Sequence, residues 1–146
     1  MSLIGKKNGF RSLLGTVLIF LVFFAGAPNE APVADAAQNN DVLTVRELLR
    51  QGADPNAAQP DGLTALHWSS LNNEIEVLLF AGANPGPTSR LGGYTPLHMA
   101  SRAGHSDVVK KLLVAGADPN RYTATGVTAM HFAAESNSAE LINILA

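Results

Sequence analysis

A chain of 146 residues has room for one domain of ordinary size, and 47% apolar residues suffice for a core. No cysteine is present, which excludes a disulfide framework, a zinc–thiolate site and a thiol nucleophile. Three of the ten Lys/Arg (Lys6, Lys7, Arg11) lie in the first 27 residues, so seven remain against twelve Asp/Glu beyond them, a charge of about −5 with no basic stripe for nucleic acid or anionic lipid.

The first element follows those three cations. LLGTVLIFLVFFAGA (Leu13–Ala27) is an uncharged apolar run of 15 residues. A basic region, a short apolar core and Ala25-Gly26-Ala27 have the order of an export signal. The run falls short of the about 20 apolar residues that a spanning helix wants. Pro28, directly after the expected cut, disfavours cleavage and leaves an uncleaved N-terminal anchor as the alternative. Residues 1–27 are therefore expected to be a signal peptide or membrane-anchor helix. Either outcome exports residues 28–146, into the periplasm or out of the cell, with the anchored form held at the inner membrane.

The rest of the chain repeats itself. APVADAAQNND, LTALHWSSLNN, YTPLHMASRAGH and VTAMHFAAESNS align, each followed by an apolar pair: Leu48-Leu49, Leu78-Leu79, Leu112-Leu113 and Ile144-Leu145. The first three units close with QGADPN, AGANP and AGADPN. Ala34, His67, His98 and His131 share one register, at intervals of 33, 31 and 33 residues. A period near 33 means a stacked array, here with units at about 31–60, 61–91, 92–124 and 125–146.

Local chemistry makes each unit a turn and two antiparallel helices. Thr95 can cap a helix whose first residue is Pro96, where a missing N–H costs nothing. Gly104 ends that helix and Gly116 the next. Met99-Ala100-Ser101 is small enough for close packing of the first helix on its neighbour. Val108, Val109, Leu112 and Leu113 give the second helix its apolar stripe. GADPN then begins an extended finger.

Three units depart from the pattern. The first has Ala31-Pro32-Val33-Ala34 in place of Thr-Pro-Leu-His, and Asp35, Gln38, Asn39 and Asn40 read as the polar face of an N-terminal cap. The second has 15 residues from His67 to Gly82, against 18 from His98 to Gly116. Asn73 and Glu76 there suggest a capping box that restarts its second helix about a turn late, with Ile75, Leu78 and Leu79 on the buried face. The following finger, NPGPTSRLGGY, is one residue longer in compensation. The fourth unit stops at Ala146, so Leu141, Ile142, Ile144 and Leu145 are expected at an open end that self-associates or continues into further repeats.

YTPLHMASRAGHSDVVKKLLVAGADPN resembles the ankyrin repeat, and the resemblance covers Ala31 to Ala146. The leader with PVADAA, TALHW and RLGGYTPLH also resembles a group of exported bacterial ankyrin proteins. The resemblance implies an all-α solenoid of about four helix-turn-helix units with extended fingers, behind the N-terminal helix. It implies that His67, His98 and His131 are scaffold residues that bond backbone around the turn and link units. One helix layer apart, roughly 10 Å, they cannot share an ion whose ligands stand about 2 Å from its centre. His105 is read as structural too, and Trp68 as core packing with a binding anchor as the lesser reading.

No nucleophile elbow, phosphate loop or two-histidine zinc helix occurs, so the expectation is no catalysis, no cofactor and no metal. In ankyrin proteins the variable positions are finger tips and the residues before the Gly-His pair. Carried over, the tips are Gln59-Pro60-Asp61, Arg90-Leu91-Gly92 and Arg121-Tyr122-Thr123-Ala124, and the helix positions Leu71-Asn72, Arg102-Ala103 and Glu135-Ser136. Gln59, Arg90, Leu91, Arg102, Arg121 and Tyr122 are the candidate contacts for a partner protein, with Arg90, Leu91, Arg102 and Tyr122 expected to converge on one patch. The function expected is a non-enzymatic protein-binding module. A domain attached to an enzymatic part outside this sequence, and a structural spacer, stand as alternatives.

Overall fold

The structure, a computed structural model, describes residues 31–146. The signal or anchor expected at 1–27 lies outside the described residues. Among the described residues no helix is long and apolar enough to cross a membrane.

The described chain forms α1 (Pro32–Gln38), α2 (Val42–Arg50), α3 (Ala65–Asn72), α4 (Glu76–Phe80), α5 (Pro96–Ala103), α6 (Ser106–Val114), α7 (Ala129–Glu135) and α8 (Ala139–Leu145). Extended backbone between pairs makes a single isolated bridge, Ala58 to Thr64, among the described residues. The first helices α1, α3, α5 and α7 stack on one another in order, while α2, α6 and α8 each lie against their own first helix, and α6 against α8. Leu66, Leu97, Ala100, Val108, Val109 and Leu112 fill the seam between the layers, all essentially inaccessible.

The start signals act as the sequence suggests. The Thr95 hydroxyl accepts from the His98 backbone N–H, with Pro96 in the first turn. Gly104 takes φ of +79° at the end of α5, and Gly116 φ of +94° after α6. The other units end their first helices on asparagine instead: Asn40, Asn73 and Asn137 all have positive φ, which asparagine tolerates better than other residues with a Cβ.

Asn73 corrects one expectation. It does not open the second helix of its unit but closes the first, at φ +64°, and Ile75 precedes α4 with no side-chain cap. A left-handed residue cannot also adopt the extended backbone of a capping position. The short unit therefore keeps only five helical residues in α4, held by Ile75 and Leu78, both buried, with Leu79 half-buried against the core. Phe80 is consequently 96% exposed.

Both ends combine exposed side chains with contacts inside the chain. Asp35 and Gln38 do not simply face water: both accept from the Gln59 side-chain amide, at 2.7 and 2.9 Å. At the other end Leu141 is buried, Ile144 and Leu145 are half-buried, and Ile142 is 36% exposed. α8 packs on α6 and α7, with Leu141 at the contact and Ile142 left exposed.

One packing defect sits in the helix stack. The Ser70 hydroxyl, buried in α3, donates to the Leu66 carbonyl at 2.6 Å. Its counterpart in α5, Ser101, is buried with no partner for its oxygen; the same register holds Ala37 and Ala134 in the outer units. A buried hydroxyl left unpaired costs about 1–3 kcal/mol. Ser101→Ala should therefore raise stability by about 1 kcal/mol in a thermal melt, while Ser70→Ala should not. A loss on Ser101→Ala would show that the hydroxyl is satisfied in solution.

Candidate functional site

Each finger is a short hairpin closed by the same pair of positions. The backbone N–H groups of Gln59, Ser89 and Thr123 donate to the carbonyls of Leu63, Tyr94 and Val127, each at 2.8 Å. The turns so enclosed are Pro60-Asp61-Gly62, Arg90-Leu91-Gly92-Gly93 and Ala124-Thr125-Gly126. The additional residue of the middle finger needs two glycines in a row at positive φ, Gly92 and Gly93. It pushes Leu91 out to 80% exposure.

Neighbouring fingers are bonded tip to tip. Arg90 N–H donates to Asp61 carbonyl at 2.7 Å, and Ala124 N–H to Gly92 carbonyl at 2.8 Å. The approach at Gly62 is close: a Cβ there would stand 3.0 Å from the Arg90 nitrogen. Three fingers thus form one backbone-bonded row, presented without the ordering cost that free loops would incur on binding.

Below the tips, the repeated histidines lock finger to helix. Nδ1 of His67 and His98 accepts from the N–H of Thr64 and Thr95, at 3.1 and 3.0 Å. Nε2 therefore carries the proton and donates to the carbonyl of Tyr94 and Arg121 respectively, each at 3.0 Å. The donor comes from one unit and the acceptor from the next finger. His131 makes the same Nδ1 bond to Thr128 at 3.2 Å, but its ring is exposed. His105 links units as well, its Nδ1 lying 3.1 Å from the Ser70 carbonyl.

Burial is the first cause that holds His67 and His98 below the ordinary histidine value. Protonation would also set an Nδ1 proton against a backbone N–H. With the folded value below the unfolded one of about 6.5, the unfolded chain binds more protons. This stability is complete above pH about 6.5 and is lost as pH falls from there toward the lowered folded values. The melting temperature should accordingly drop between pH 7.5 and 5.5, and His67→Gln with His98→Gln should flatten that slope. A slope unaltered in the double variant would assign acid lability to other groups.

The candidate contacts separate into four groups. Gln59 is engaged inside the chain: besides Asp35 and Gln38, its carbonyl oxygen accepts from Trp68 Nε1 at 2.7 Å, and Trp68 is half-buried against the core. Arg90 and Leu91 stand exposed on the middle tip. Arg121 and Tyr122 are not on a tip but on the arm below it, next to the buried Thr123; Tyr122 is 69% exposed, and Arg121 lends its carbonyl to His98. The sequence placed them one turn too high because arm and tip are distinguished only by the Thr123–Val127 closure.

Arg102 is the candidate that the helices bring into a concavity. A groove of about 500 Å³ between α3 and α5 is lined by Leu71, Tyr94, Met99, Arg102 and Ala103. Tyr94, which sequence reasoning missed, forms one wall. Its ring packs edge-on to His98 at 6.4 Å and against Phe132 at 6.0 Å, and so is held in place. The available signal was the aromatic residue before Thr-Pro, where other units have Leu63 and Val127.

Comparison with known proteins agrees with this geometry. The family model for ankyrin repeats (3 copies) matches residues 33–123 and again 75–146. The chain belongs to the ankyrin-repeat family. Among relatives, Palmitoyltransferase Hip14 of Drosophila melanogaster is 34% identical over 102 residues, covering 68% of this chain and 16% of the relative. Palmitoyltransferase ZDHHC13 of Homo sapiens is 30% identical over 121 residues, 75% of this chain and 20% of the relative. Palmitoyltransferase ZDHHC17 of Danio rerio is 32% identical over 102 residues, 68% of this chain and 16% of the relative. The chain thus spans a fifth or less of these relatives' length. In ankyrin-repeat terms the groove lies on the face shared by the fingers and first helices, at the register Gln38, Leu71, Arg102 and Glu135.

Proposed function

We propose that this chain is a non-enzymatic module that grips a partner protein through its finger tips and the groove between α3 and α5. The observation that carries the reading is that groove: an apolar concavity with an arginine at its rim, walled by a tyrosine that its neighbours immobilise. Leu91 and Tyr122 extend the surface, since both are large, exposed and mounted on the bonded finger row. The leader at Leu13–Ala27 supports placing the encounter outside the cytoplasm, in the periplasm or beyond, or at the inner membrane if the leader stays attached.

The test is capture of a partner by the full chain from the exported fraction, followed by titration. Leu91→Ala with Tyr122→Ala should leave the melting temperature unaltered and weaken binding by about 2 kcal/mol, a hot-spot loss. Unaltered affinity would place the interface away from the fingers, and a fall in melting would make the two residues part of the packing.

The names of the relatives support a second reading, in which these repeats accompany a palmitoyl-transferring protein. The chain has no cysteine and so no thiol to hold an acyl thioester; in that reading the repeats would hold the protein to be acylated. Acyl transfer by the complete gene product, lost when residues 31–146 are deleted, is the result expected of it.

A further inference from the structure

Among the described cations, three on second helices are paired, while Arg46, also on a second helix, and the three on the fingers and a first helix are not. Arg50, Lys110 and Lys111, all on second helices, are paired with Glu47, Glu140 and Glu76. Arg90, Arg102 and Arg121, on the fingers and a first helix, have no carboxylate within 4.0 Å among the described residues. Arg102 is exposed at the rim of the groove, and its neighbours there, Leu71, Tyr94 and Met99, are half-buried and apolar.

Resting on the reading that the groove binds protein, we infer that its ligand is an extended peptide segment with a bulky apolar side chain within about three residues of an aspartate or glutamate. The apolar residue enters between α3 and α5, over Leu71, Met99 and Tyr94. The acid meets Arg102, whose planar fork pairs with carboxylates at two points. The spacing comes from geometry. Arg102 lines the groove itself, so its distance from the apolar floor is less than one helix layer of roughly 10 Å, and an extended chain advancing about 3.3 Å per residue covers it within about three residues. Glu135 occupies the register of Arg102 in the next unit, which disfavours a second acid one unit further on. Rigid walls and an unpaired cation leave little reorganisation to the moment of binding.

The experiment pans a phage-displayed library of random twelve-residue peptides on the immobilised full chain and on Arg102→Glu, with Met99→Lys as a third bait. All three are checked by circular dichroism melting. Wild type should enrich peptides that carry an aromatic or aliphatic residue within three positions of an acid. Arg102→Glu, at an exposed position, should keep the apolar preference and replace the acid by lysine or arginine. A synthetic peptide from the wild-type pool should bind Arg102→Glu at least tenfold more weakly. Peptides without acidic bias, or with a bias that Arg102→Glu leaves in place, would overturn the inference, as would no enrichment. If enrichment without acidic bias is still abolished by Met99→Lys, the groove remains the binding face and only the ligand chemistry is wrong. Enrichment indifferent to both substitutions would remove the groove itself.

Discussion

Replacing His98 by alanine should destabilise the protein by about 2–4 kcal/mol, while the same change at His131 should cost less than about 1 kcal/mol. The two residues occupy the same register, but a further finger stacks over His98, while among the described residues none stacks over His131. His98 is buried and holds two backbone groups, the Thr95 N–H on its own unit and the Arg121 carbonyl on the next finger. Alanine leaves the buried Thr95 N–H unpaired, at about 1–3 kcal/mol, and removes the bond across units to the Arg121 carbonyl. It also leaves the space of an imidazole that packs against Tyr94 and Phe132. His131 holds only the Thr128 N–H, and its ring is exposed, so water replaces what alanine removes. Denaturant melts of the two variants should show the contrast directly. Equal losses would mean that the bond across units contributes nothing and that the turn alone matters.

Leu97→Ala should cost about 2–5 kcal/mol, the range for a truncated buried leucine. Leu97 is 1% exposed in α5, the helix that stacks on both α3 and α7. In a stacked array each unit is stabilised only by its neighbours, so a cavity in the third unit weakens the surface on which the fourth unit stacks. The unfolding midpoint should fall, and the transition should lose steepness as the last unit comes apart earlier. Val114→Ala is the control: at 91% exposure it should alter stability by no more than about 0.5 kcal/mol. A loss below about 1 kcal/mol at Leu97 would show that the stack closes over the missing atoms.

Features that act over a few residues, or that recur with the period, are legible in the chain alone. The Thr95-Pro96 start, the positive φ of Gly104 and Gly116, and the aliphatic stripe of α6 need only local backbone chemistry, and each is found where it was expected. The histidine register indicated scaffold rather than chemistry, because a residue repeated once per layer cannot gather around one centre. The missing residues of the second unit were equally visible, but their consequence was not. Asn73 could cap the beginning of one helix or the end of another, and only the fit of Ile75 and Leu78 into the core decided for the end.

The site was less legible for the same reason. Gln59 looked like a finger-tip contact until the fold placed it against Asp35, 24 residues earlier, and Trp68. Tyr94 looked like a finger residue until stacking put Phe132 and Met99 beside it. Tyr122 and Leu91 are both large, apolar in part and exposed, yet arm and tip part company at one hydrogen bond, Thr123 to Val127. Local propensity carries no information about which side chains from adjacent units meet. That is decided by a layer spacing of about 10 Å and by the backbone bonds that lock each finger to the next.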